Sequence, residues 1–122
     1  MNRHPDYNCE ILLANQLGFA NYFPNQQELH IGFSSFLLIF YPSNFHEFVR
    51  CTEEHFSERK KDREPENLKN IIIPTPIREV SILFNLKELE DFAHFLKKIE
   101  SIIIVKELAK NAISKHNKEN LN

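Results

Sequence analysis

The sequence predicts an α+β domain: an antiparallel sheet from two successive strand-strand-helix units, both helices on one face, the second helix long and C-terminal. Three observations predict it. Phe40, Phe45 and Phe48 recur 44 positions later as Phe84, Leu89 and Phe92, so one strand-to-helix corner is used twice. Apolar runs of strand length precede each corner, and apolar residues at helical spacing follow it.

The elements follow in chain order. Leu17 to Phe23 and Glu28 to Phe33 flank the polar turn Pro24-Asn25-Gln26-Gln27 and read as a hairpin. In its second arm Leu29, Ile31 and Phe33 alternate with Glu28, His30 and Gly32, so one face is buried and the other wet. The continuous run Phe36 to Phe40 reads as a central strand covered on both faces or by a partner. Pro42-Ser43 opens the first helix, with Ser43 as its N-cap, and Phe45, Phe48, Val49, Thr52 and Phe56 form its core stripe to an end near Glu58. Lys69 to Pro74 and Arg78 to Phe84 form a second strand pair through Pro74-Thr75-Pro76, since neither proline has an amide to give a sheet interior. Asn85 and Glu88 make a capping box for the second helix, whose stripe Leu89, Phe92, Ala93, Leu96, Ile99 and Ile103 extends to about Lys115.

Ile102-Ile103-Ile104-Val105 is apolar all round the helix, so one face needs a cover beyond the stripe. The cover is the domain's own core, or a second copy across a homodimer interface of Ile102, Ile103, Val105 and Ala109; a final strand of these β-branched residues is the weaker alternative. The 122 residues form a single domain, with ends 1–8 and 116–122 flexible and a charged loop at 58–68. Glu58 to Glu66 carries eight charges of both signs in nine positions, the composition of a solvated loop.

Composition narrows the function classes. Cys9 and Cys51 have no framework spacing, and the polar start has no apolar signal core, so free thiols and a cytoplasmic location are expected. Phe36 to Tyr41 is far short of the ~18–20 residues that span a bilayer, so no membrane segment is expected. No Lys or Arg occurs from His4 to Val49, so the aromatic third of the chain offers nothing for phosphates and nucleic acid is not an expected partner. Gly18 and Gly32 stand alone and build no phosphate loop.

The best catalytic or metal-like constellation is Glu47, Cys51 and His55, at i, i+4 and i+8 along the first helix. Its outer members lie about 12 Å apart by helical rise, so all three cannot meet at one atom. Cys51 and His55 then read as boundary residues of the core stripe, and as the metal or ligand candidates of a second reading. His30 and His94 read as surface histidines, and His4 with Cys9 reaches a metal only if the N-terminus folds back onto the first helix. No catalytic residue and no cofactor is predicted.

Gly18-Phe19, Gly32-Phe33, the run Phe36 to Phe40 with Phe45, Leu83-Phe84 with Leu89, and the helix Leu96 to Leu108 give residues 9–110 a pattern that resembles a family of small uncharacterised bacterial proteins, a domain of unknown function. The resemblance implies the same fold class and a bacterial cytosolic setting. It also implies that relatives carry a Cys pair, a metal-binding tip, where this chain has Phe23-Pro24-Asn25-Gln26. The expected function is a non-enzymatic interaction or regulatory module that self-associates and meets an unknown protein partner; the alternative is a small-ligand or metal-binding protein using Cys51 and His55.

Overall fold

Both strand-to-helix corners form, and they form alike. In the computed structural model, which describes residues 8–61 and 68–120, Phe40 ends the strand β4 (Phe36–Phe40) and Pro42 begins the helix α1 (Pro42–Arg59). Forty-four residues on, Phe84 ends a strand and Leu86 begins the C-terminal helix. The duplication reaches the caps. The Tyr41 amide donates to Asn44 Oδ1 at 3.0 Å, and the Asn85 amide donates to Glu88 Oε1 at 2.9 Å. Asn85 Oδ1 also accepts from the Glu88 amide at 2.8 Å, completing the expected box. At the first corner Tyr41, not Ser43, is the N-cap residue, because Pro42 takes the first helical position, where a missing N–H costs nothing.

Four strands precede α1: β1 (Glu10–Ala14), β2 (Gly18–Phe23), β3 (Glu28–Phe33) and β4. They form an antiparallel meander in chain order, with a bulge between Ile11 and Leu13. β5 (Ile71–Pro74) and β6 (Ser81–Phe84) form a separate hairpin, and α2 (Leu86–Asn120) closes the chain. The fold is α+β with a long C-terminal helix, as expected, but the strands divide into two sheets, and β1 and β4 depart from expectation. β1 precedes the anticipated hairpin. β4 lies at the end of the strand order and, among the described residues, pairs with β3 alone, through the two-residue loop Ser34-Ser35, in which Ser34 adopts φ 55°. Its continuous apolar run reflects an outer face on which Leu37 and Ile39 remain exposed, not a strand covered on both sides.

Alternation sets the inner face of the meander: Ala20, Leu29, Ile31, Phe33 and Phe40 are buried against both helices. Phenylalanines fill the junction between the sheets and the helices. The Phe92 ring lies 4.9 Å from that of Phe33 and 5.1 Å from that of Phe84, and Phe33 lies 5.4 Å from Phe95. Phe40, Phe45, Phe48, Phe84, Leu89 and Phe92, the six residues of the repeat, are all buried. Thr52 sits in this core because its hydroxyl donates to the Phe48 carbonyl at 2.9 Å.

Glu58 and Arg59 belong to α1 rather than to a loop. Residues 62–67, the rest of the charged run, and residues 1–7 with His4 lie outside the described residues. Ile102 to Val105 is helical, so no final strand forms, and α2 continues five residues beyond the expected end.

Candidate functional site

α2 outlasts the core it covers. Its 35 residues reach about 52 Å at 1.5 Å per residue, and its last fully buried side chain is Ile99. Ile103 packs at the margin of the core, and beyond it the helix overhangs β1 and the start of α1. Lys106 on this overhang pairs with Glu10 of β1.

The overhang has two apolar sides. At 100° per residue, Ile104, Val105 and Leu108 turn away from the direction set by Ile99 and Ile103, and they are 43%, 64% and 63% exposed. Toward the sheet, a cavity of about 530 Å³ opens between α2, β1 and the first turn of α1. Leu12, Tyr22, Leu29, Pro42, Ile103, Ala109 and Ile113 give its apolar surface, and Glu10, His46, Lys106, Glu107 and Lys110 its polar groups. Leu29, 1% exposed, makes the cavity reach the core.

His46 is fixed from α2. Its Nδ1 donates to Glu100 Oε2 at 2.9 Å, and Lys97 Nζ lies 3.2 Å from the other carboxylate oxygen and 3.4 Å from Glu53 of α1. Burial penalises the charged form of Glu100, but the hydrogen bonds from His46 and Lys97 and their positive charges outweigh it and hold this carboxyl below its ordinary value. The four side chains tie the two helices together and orient an imidazole at the cavity wall.

The residues singled out from sequence fall elsewhere. Cys51 and His55 are half-buried on α1, Cys51 is a free thiol, and Glu47 is exposed. Among the described residues no group of three or more His, Cys, Asp or Glu side chains is placed to hold a metal ion. His30 has a partner that the sequence did not reveal: it bonds Glu28 Oε1 at 3.1 Å, with its ring 4.3 Å from Phe23 on the outer face. His94 meets the edge of Phe56. At the tip of the first hairpin Pro24 accepts from the Gln27 amide at 3.2 Å, closing a turn without ligands.

The expected interface residues divide. Ile102 and Ile103 are half-buried and Ala109 lines the cavity, while Val105 stands on the outward stripe with Ile104 and Leu108, which sequence reasoning did not name for this role. His46 and Glu100 were also missed. Each directly follows a core-stripe residue, Phe45 and Ile99, a position that marks a helix flank but not its partner 54 residues away.

No helix among the described residues is long and apolar enough to cross a membrane. A family model described as a family of unknown function (DUF6686) matches residues 6–120. No curated protein and no solved structure matches the chain.

Proposed function

We propose that this chain, which belongs to the DUF6686 family of unknown function, is a non-enzymatic interaction module that self-associates through the outward stripe of α2 and acts in a bacterial cytosol. One observation carries the reading: the C-terminal half of a 35-residue helix leaves Ile104, Val105 and Leu108 in solvent on the side away from its own core. A helix gains most of its stability from packing an apolar face, and an exposed apolar stripe is stabilised by a second surface. A second copy brings an identical stripe across a two-fold axis, and the small side chain of Ala112, one turn beyond Leu108, lets two helices approach closely. Two free cysteines suit a reducing compartment.

Analytical ultracentrifugation at micromolar concentration tests it. The expected species is a dimer, and Val105→Glu with Leu108→Glu is expected to give a monomer that keeps the far-UV circular dichroism of the parent. A parent that stays monomeric at high concentration refutes the reading.

A further inference from the structure

We infer that the cavity beneath the overhang of α2 binds a monoanionic amphiphile, a carboxylate carried on an apolar chain. The site lies on the opposite side of α2 from the proposed dimer stripe and stands independently of it. Its volume of about 530 Å³ falls within the range of small-molecule sites. Its apolar surface is continuous with the core, because Leu29 at its base is 1% exposed and Ile103 forms part of its wall.

The polar groups select the charge. Lys106 is neutralised by Glu10, and Nδ1 of His46 is committed to Glu100. Lys110 has no ion pair among the described residues, although Glu107 stands one turn before it, so one cation remains at the cavity for an anionic head. Glu107 borders the same space and opposes a second negative charge, which favours a carboxylate over a phosphate monoester. The apolar walls then hold the chain, with affinity rising with each methylene removed from water.

Isothermal titration with decanoate, octanoate, decanol and decyl phosphate tests the site, with native mass spectrometry for stoichiometry. One decanoate per chain is expected, and octanoate about tenfold weaker for two fewer buried methylenes. Decanol and decyl phosphate should each bind at least about fivefold more weakly than decanoate, the least difference that marks use of one charge. Lys110→Glu, an exposed substitution that leaves the core untouched, should cost decanoate about tenfold or more and leave decanol unchanged. The monomeric Val105→Glu/Leu108→Glu variant should retain decanoate, which separates this site from the dimer reading. No decanoate uptake at millimolar concentration, decanol or decyl phosphate binding as tightly as decanoate, or an unchanged Lys110→Glu affinity overturns the inference.

Discussion

His46 on α1 donates a hydrogen bond from Nδ1 to Glu100 on α2 across 2.9 Å, and the acceptor is the one charged side chain buried among the described residues. Glu100 has a folded-state value below its ordinary 4.5. Its ionisation therefore stabilises the fold in full above 4.5 and ceases to do so as pH falls through the lowered folded-state value. Glu100→Gln is expected to cost about 2 kcal/mol at neutral pH, the range for a hydrogen bond to a charged group. The variant should also lose part of the acid-side decline in stability, measured by urea unfolding between neutral pH and the acid limb. An unchanged acid limb would show that the pair contributes nothing to folding.

Gly18 and Gly32 are neighbours in the sheet but face different obstacles. A Cβ on Gly18 would lie 1.9 Å from the Gly32 carbonyl oxygen, which is backbone and cannot step aside. A Cβ on Gly32 would meet Phe19 Cε1 at 2.3 Å, the far end of a ring that is partly in solvent and can swing away. Gly18→Ala should therefore cost about 2–3 kcal/mol and Gly32→Ala under about 1 kcal/mol, read as midpoint shifts in thermal unfolding.

The paired corners predict unequal caps. Asn85 makes both halves of its box, so Asn85→Ala should cost about 1 kcal/mol. Asn44 only accepts from the exposed Tyr41 amide, which water can satisfy, and Asn44→Ala should cost under about 0.5 kcal/mol. Equal losses in chemical denaturation would mean that the two corners differ less than their hydrogen bonds do.

Phe92 is the repeat residue most surrounded by other rings, with Phe33, Phe36, Phe48 and Phe84 all within ring-contact distance. Phe92→Ala should cost about 3–5 kcal/mol. In a domain of this size that approaches the whole stability, so Phe92→Leu, expected to remain folded with a lowered melting temperature, is the practical comparison.

The helices were legible in the sequence because their starts are chemical: Pro42 at a first turn, Asn85 with Glu88 in a box, and a stripe of Phe and Leu behind each. The sheet was legible only where alternation was clean, as in Leu29, Ile31 and Phe33. β1 escaped because Glu10–Ala14 is short and its bulge between Ile11 and Leu13 breaks the two-residue period. β4 was misplaced because a strand with an exposed apolar outer face has the same composition as one buried on both sides. The site was less accessible still. Cys51 and His55 stood out because they share a helix flank, whereas His46 meets Glu100 only through the register of two packed helices, which no local spacing encodes.

The meander also bears on how the chain reaches this structure. Its strands pair in chain order through short turns, so the four-stranded sheet closes small loops one after another. The contact between Glu10 and Lys106, by contrast, joins residues 96 positions apart. Distant pairings carry a larger loop-closure cost than local ones, so the sheet is expected to assemble before the far half of α2 settles over its first strand. In that order the step that completes the cavity comes last, and a chain arrested there would hold a formed sheet beside an undocked helix end.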